Sequence, residues 1–145
     1  MPTDHAQQTV EVAAPFDVVL ATVRDVEGQP DWIPEIIEAE LLEVYEADEL
    51  PATARFKASA TVGTDHYTLS YEHGDDTMSW TMVEGHLQTG QEGCYSLRRV
   101  DPRTTSVTYD LTIHHNLPLP GFVRSRVIKG LVASTLTGLK AHLEE

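Results

Sequence analysis

The feature that most constrains the fold is a change of hydrophobic period near Pro118 and Pro120. Before these prolines, apolar and polar residues alternate in short stretches. After them, apolar residues recur every three or four positions as far as Leu143. The first pattern is typical of half-buried strands and the second of an amphipathic helix. The sequence therefore predicts a series of strands followed by one long helix over residues 121–144, with proline in its first turn.

Six stretches in the middle of the chain alternate in polarity or are rich in β-branched and aromatic residues, and each is a predicted strand. The breaks between them have turn composition and hairpin length, for example Gly74-Asp75-Asp76. Hairpin-length breaks join antiparallel neighbours, so we expect an antiparallel meander. The predicted strands are Ile36–Tyr45, Ala54–Val62, His66–His73, Thr77–Glu84, Gln88–Arg99 and Thr105–His115.

The start of the chain adds a strand and one or two short helices. Alternation around Val10 and Val12 predicts a first strand over Thr9–Ala13, and Pro15 opens an amphipathic helix that runs to Asp25. A proline-flanked turn then carries Trp32, which we interpret as a core anchor.

A sheet that is apolar on one face must bury that face, and the terminal helix is the longest element available to cover it. The prediction is an α+β fold in which a curved antiparallel sheet of about seven strands wraps around the C-terminal helix and encloses a cavity. The length of 145 residues fits one domain, residues 1–145.

The charge balance excludes some classes of partner. The chain has 23 Asp and Glu against 10 Lys and Arg, a net charge of −13, which repels a nucleic-acid backbone and anionic lipids. We therefore expect no nucleic-acid partner and no stable membrane insertion, while protein partners stay unknown. The first ten residues lack the basic and apolar regions of a signal peptide, and the single Cys94 cannot form an internal disulfide. These features predict a cytoplasmic protein.

Period-two alternation predicts which side chains face the helix, if no bulge shifts the register. The same face carries apolar, aromatic and small residues, and the opposite face is polar. The candidate ligand-binding residues are Phe56, Ala58, Tyr67, Leu69, Tyr71, Met78, Trp80, Met82, Tyr95, Tyr109 and Leu111 of the sheet, with Ile128 and Val132 of the helix.

Several of these inner residues are aromatics with polar tips. A buried hydroxyl without a partner costs about 1–3 kcal/mol, so a set of them on one face indicates water or a ligand with polar groups in the cavity. The alternative is that these side chains bond to one another or to the backbone at the rim.

Residues with catalytic or metal-binding chemistry are few. Glu84 continues the inner series of β-strand positions and is a candidate general acid, with an exposed rim position as the alternative. His114 and His115 are adjacent on a strand and point to opposite faces, so they cannot share one metal ion. Cys94 is predicted on the face opposite Tyr95. No phosphate-binding or dinucleotide motif is present, so we expect no metal and no cofactor.

Several strings resemble one family when they are taken in order along the chain. They are Val12-Ala-Ala-Pro15, Pro30-Asp-Trp-Ile-Pro34, Ser79-Trp-Thr-Met-Val-Glu-Gly85, Gly93-Cys-Tyr-Ser-Leu97, Thr105-Ser-Val-Thr-Tyr-Asp-Leu111, Leu117-Pro-Leu-Pro-Gly-Phe122 and Leu139-Lys140. This order resembles the SRPBCC superfamily, which includes START lipid-transfer domains, the birch-pollen allergen fold, polyketide aromatase/cyclases and ubiquinone-binding relatives. The resemblance covers nearly the whole chain and implies a helix-grip fold.

Three functions are compatible with the sequence. The first is binding or transport of a hydrophobic small molecule (a lipid, an isoprenoid or quinone, or an aromatic polyketide), because a lined cavity is predicted without a catalytic set. The second is a polyketide cyclase, aromatase or dehydratase, which the resemblance implies. The third is a regulatory or protein-interaction domain that uses the acidic outer sheet and has no small-molecule ligand.

Overall fold

Seven strands and three helices form the part of the chain described by this computed structural model, residues 3–60 and 63–144. A 3-10 helix, Val26–Asp31, lies between the first α-helix and the second strand. The other elements in chain order are β1 (Thr3–Val12), α1 (Phe16–Arg24), β2 (Ile36–Val44), β3 (Pro51–Ala60), β4 (Gly63–His73), β5 (Thr77–Gly85), β6 (Gln88–Asp101), β7 (Thr104–His115) and α2 (Gly121–Glu144).

The strands form one antiparallel sheet in the order β1-β7-β6-β5-β4-β3-β2. Strands β2 to β7 are a continuous meander, as their hairpin-length breaks predict, and β1 returns to pair with β7 at one edge. The long helix α2 lies against the concave face, mostly along β1 and β7. The predicted fold class, an α+β helix-grip arrangement with a curved sheet of seven strands, is confirmed.

One stripe of α2 faces the sheet, because apolar residues recur along it at helical spacing. Its buried residues are Ile128, Val132, Thr135, Leu136 and Leu139. The observed bounds of the helix match the prediction from the change of period.

Near its C-terminal end, α2 approaches the chain segment that carries Trp32. A Cβ atom at Gly138 would overlap the carbonyl oxygen of Trp32, so only glycine allows this approach. Trp32 itself is 4% exposed, and its ring centroid lies 6.4 Å from that of Tyr95. The interpretation of Trp32 as a core anchor agrees with this packing.

At this end of the molecule, core residues of the sheet, α1 and α2 pack against one another and do not line the cavity described below. We call it the packed half, and its members are almost completely buried. They are Val12, Val19, Val23, Met78, Leu97, Val107, Leu136 and Leu139.

The first strand begins earlier than predicted. We expected it over Thr9–Ala13, whereas β1 pairs with β7 over ten consecutive residues, from Thr3 opposite His114 to Val12 opposite Thr105. Its first half is polar, so hydrophobic alternation does not reveal it, and main-chain pairing defines it instead. The predicted end of the third strand at Val62 lies outside the described residues, because the description of β3 stops at Ala60.

A candidate ligand-binding cavity

A cavity of about 520 Å³ lies between the concave face of the sheet and the N-terminal half of α2. Its volume falls within the usual range for small-molecule sites. Small residues leave this space: Ala58 projects from β3, and Gly130 of α2 has no heavy atom within 4 Å of where its Cβ would be. The segment between β7 and α2 contributes Leu117 and Leu119 to the lining.

Aromatic rings form the wall of the cavity on β4 to β7. The indole of Trp80 lies at centroid distances of 6.1 Å from Tyr71, 5.3 Å from Tyr95 and 5.9 Å from Tyr109. Tyr95 and Tyr109 stack at 4.6 Å. Trp80 lies across β6 at Gly93, where a Cβ atom would overlap the indole ring. Glycine at this position therefore leaves the space that the indole ring of Trp80 occupies.

The hydroxyl groups of the cavity tyrosines are held in their neutral form. Burial raises the pKa of Tyr67, Tyr71, Tyr95 and Tyr109, and the negative charge of Asp65 adds to the rise in the pKa of Tyr67. A neutral phenol donates one hydrogen bond and accepts weakly. The tyrosines can therefore offer hydrogen bonds to a bound molecule, and they are poor bases.

A chain of side-chain amides on β6 connects Trp80 to Asp65 of β4. The indole Nε1 of Trp80 donates to Oε1 of Gln91 at 2.8 Å, and Nε2 of Gln91 donates to Oε1 of Gln88 at 2.8 Å. Nε2 of Gln88 then donates to Oδ2 of Asp65 at 2.9 Å. The other oxygen of Asp65 accepts from the backbone N–H groups of His66 and Leu87. Because its members satisfy one another, this network fixes the orientation of the indole.

A second polar group joins β1, β7 and the start of α2. Nε2 of His115 lies 2.7 Å from Oδ2 of Asp4, and Nδ1 of His115 accepts from the backbone N–H of Leu117 at 3.1 Å. Arg124 approaches the other oxygen of Asp4 at 3.4 Å. Since Nδ1 must carry a lone pair, the hydrogen lies on Nε2. Both ring nitrogens are engaged, so His115 ties β1 to the segment after β7 and has no free nitrogen to act as a base.

Ten of the thirteen predicted binding residues line this cavity. Their contact with a ligand stays a prediction. They are Phe56, Ala58, Tyr67, Leu69, Tyr71, Trp80, Tyr95, Tyr109, Leu111 and Ile128.

The structure places three predicted residues elsewhere. Met78 and Val132 are 0% exposed, belong to the hydrophobic core and do not line the cavity. Met82 is half-buried, and its terminal methyl lies beside Gly85. Alternation identified the buried face correctly here but did not tell which part of that face borders a cavity.

The prediction that Glu84 continues the inner series is wrong. The pairing of β4 with β5 shifts between Thr68 and Leu69, so Met82 is opposite Leu69 while Glu84 is opposite Thr68. The extra residue, Val83, reverses the alternation. Glu84 is exposed on the outer face, near enough to Arg55 to contribute to the raised pKa of that guanidinium. It cannot supply an acid to the cavity.

Several polar lining residues were missed. Asp65 lies two residues before Tyr67, Gln91 four before Tyr95, and His115 two after Ile113, so each fits the same inner alternation. Apolar and aromatic side chains identify the inner face in the sequence, so the polar residues at these positions gave no signal although the periodicity contained them. Asp4 and Arg124 gave no such signal, because the strand of the first was unrecognised and the second lies at a helix edge.

No group of three or more His, Cys, Asp or Glu residues that could hold a metal ion occurs in residues 3–60 and 63–144. His114 faces away from the cavity and lies 2.9 Å from Glu92, on the opposite side of β7 from His115. Neither described α-helix has the length and apolar character needed to cross a membrane.

The comparison with family models gives one match. A model described as "Polyketide cyclase / dehydrase and lipid transport" matches residues 3–144. The comparison with curated proteins finds no significant match.

Solved structures share the fold over nearly the whole chain. A START superfamily protein from Mycobacterium smegmatis has a TM-score of 0.89 and 24% identity, with 97% of each chain covered. The Zhui aromatase/cyclase from Streptomyces sp. R1128 has a TM-score of 0.83 and 18% identity, covering 99% of this chain and 94% of that one. A STAR-related lipid transfer protein from Xanthomonas axonopodis has a TM-score of 0.72 and 19% identity, covering 97% and 86%.

Proposed function

Because the chain belongs to the polyketide cyclase/dehydrase and lipid transport family, we propose that it binds and carries a hydrophobic small molecule in the cavity. The observation that carries the proposal is the 520 Å³ space between sheet and helix, lined by aromatic and aliphatic side chains with a few convergent polar groups. This combination is the usual composition of a small-molecule site. A lipid, an isoprenoid or quinone, or an aromatic polyketide has the required chemistry.

Burial of apolar surface is sufficient to give useful affinity. At about 25 cal/mol per Å², removing about 400 Å² of apolar ligand surface from water contributes about 10 kcal/mol. Association costs of about 4 kcal/mol leave about 6 kcal/mol, which corresponds to a dissociation constant of tens of micromolar. No ion pair is required.

A polyketide cyclase, aromatase or dehydratase activity is the second candidate. The hydroxyl cluster supports it, since neutral tyrosines can stabilise an enolate or a carbonyl oxygen by hydrogen bonding. A free base is missing among these groups: the raised pKa values keep the phenols protonated, and both nitrogens of His115 are engaged. The lining carboxylates of Asp65 and Glu35 already accept hydrogen bonds from Gln88 and Ser134. These groups are therefore better suited to binding than to proton abstraction, and we favour the carrier function over catalysis.

Native mass spectrometry of the purified protein tests the proposal. We expect a hydrophobic species to remain bound and to leave on denaturation. An Ala58→Leu variant, which adds three carbon atoms inside the cavity, should lose most of that species. Ala141→Leu makes the same change on the exposed side of α2 and should retain it. An empty wild-type protein that also binds no added quinone, fatty acid or polycyclic aromatic would contradict the proposal and favour a protein-interaction role.

A further inference from the structure

Two tyrosine hydroxyls in the cavity have no partner in the described chain. Tyr67 and Tyr71 lie two residues apart on β4 and share its inner face, with exposures of 8% and 1%. No hydrogen bond joins either hydroxyl to another described residue, and neither oxygen is among the described polar atoms that are sealed without a partner. Both hydroxyls therefore border the cavity, where an unmet hydrogen bond is costly.

The rings that carry these hydroxyls are fixed by their neighbours. Tyr67 stacks on Phe56 at 5.5 Å. Tyr71 stacks on His73 at 6.3 Å and lies 6.1 Å from Trp80 in a tilted arrangement. Rigid rings hold their hydroxyls in set positions, so the donors are arranged before a ligand arrives.

Charges near the hydroxyls are negative. Asp65 is close enough to Tyr67, and Glu35 to Tyr109, to make an additional negative charge there unfavourable. Of the two arginines that line the cavity, Arg124 already lies against Asp4, and Arg126 is exposed. An anion placed at the tyrosines would be desolvated beside carboxylates, without a cation to compensate.

We propose that the cavity selects a neutral apolar molecule bearing hydrogen-bond-accepting oxygens, such as ring carbonyls, and that Tyr67 and Tyr71 donate to those oxygens. This inference rests on the proposed carrier function and specifies its ligand class. A carbonyl oxygen satisfies both donors without bringing charge. A hydrocarbon offers the hydroxyls no hydrogen-bond acceptor, and a carboxylate is repelled by the negative charges near the tyrosines.

Three probes with one ring skeleton separate these possibilities: anthracene, 9,10-anthraquinone and anthracene-2-carboxylate. Equilibrium dialysis at pH 7.5 gives the dissociation constant of each. We expect the quinone to bind at least tenfold more tightly than anthracene, and the carboxylate to bind more weakly than anthracene. Each of Tyr67→Phe and Tyr71→Phe should weaken quinone binding about fivefold, the value of one neutral hydrogen bond.

Anthracene is the control ligand for the two variants. It makes no hydrogen bond, so both variants should bind it as wild type does, which also shows that they are folded. The inference is wrong if the quinone binds no better than anthracene, if the carboxylate binds best, or if the Phe variants keep full quinone affinity. In each of these cases the proposed function, binding of an apolar ligand, is not contradicted. Failure of all three probes to bind wild type would overturn the inference together with the proposed function.

Discussion

The two halves of the interface between sheet and α2 are built from the same elements and packed in opposite ways. In the packed half, Val12, Val107 and Leu139 are 0% exposed, and none of them lines the cavity. In the cavity half, Ala58, Tyr67 and Gly130 surround about 520 Å³. Side-chain size explains the difference, because short residues on β3 and α2 keep the helix from filling the curved sheet. The packed half therefore supplies stability that allows the other half to stay open.

Matched leucine truncations on α2 should show the largest contrast. Leu139→Ala removes a fully buried side chain from the packed half and should lower the free energy of unfolding by about 4 kcal/mol. Leu131 borders the existing cavity and is already partly exposed, so Leu131→Ala should lower the free energy of unfolding by only about 1 kcal/mol. Urea denaturation measures both. Equal losses would show that the cavity half is as tightly packed as the other.

Two glycines on the same helix give a second contrast. Gly138→Ala places a methyl group against the carbonyl oxygen of Trp32 and should destabilise the fold by about 3 kcal/mol. Gly130→Ala meets no atom within 4 Å and should gain up to about 1 kcal/mol from helix propensity. Thermal melting compares the two variants. A neutral Gly138→Ala substitution would mean that α2 does not approach Trp32 this closely.

A smaller, pH-dependent effect is expected at His73, near the packed half. Burial lowers the pKa of His73, and Arg24 lowers it further, although the hydrogen bond to Pro51 opposes both. Below about pH 6.5 the unfolded chain binds a proton that the folded chain resists, so this contribution to stability is complete above pH 6.5 and is lost as the pH falls.

Urea midpoints at pH 7.5 and 5.5 measure the effect at His73. His73→Gln should reduce the loss of stability between these pH values. If His73→Gln keeps the full wild-type loss, protonation of this ring has no role in it.

The smallest effect is expected on the outer face of β2. Replacing Glu38 and Glu40 by Gln removes exposed charges, including the ion pair of Glu40 with Arg55, and should change stability by less than about 0.5 kcal/mol. Ligand affinity should be unchanged, since neither side chain borders the cavity. Loss of binding with an intact fold, measured by dialysis and circular dichroism, would show that the outer face contributes to the site.

The sequence predicted the fold better than it predicted the cavity, for physical reasons. Alternation and helical spacing depend on neighbours along the chain, so the strands carrying Tyr67 and Tyr109 and the bounds of α2 followed from them. The bulge at Val83 depends on how β4 and β5 pair, and it moved Glu84 to the outer face. The contact of Asp4 with His115 joins residues 111 positions apart, which no local pattern encodes.

The central claim is that Trp80 lies in the wall of a cavity that accepts an apolar ligand, and its fluorescence tests this directly. In a Trp32→Phe variant, Trp80 is the sole indole, 7% exposed and bonded to Gln91. The account predicts that a quinone or polycyclic aromatic shifts or quenches its emission saturably, and that acrylamide quenches it weakly. If no ligand in a panel of quinones, fatty acids and polycyclic aromatics changes the emission, and acrylamide reaches Trp80 as freely as in the unfolded protein, the claim is contradicted.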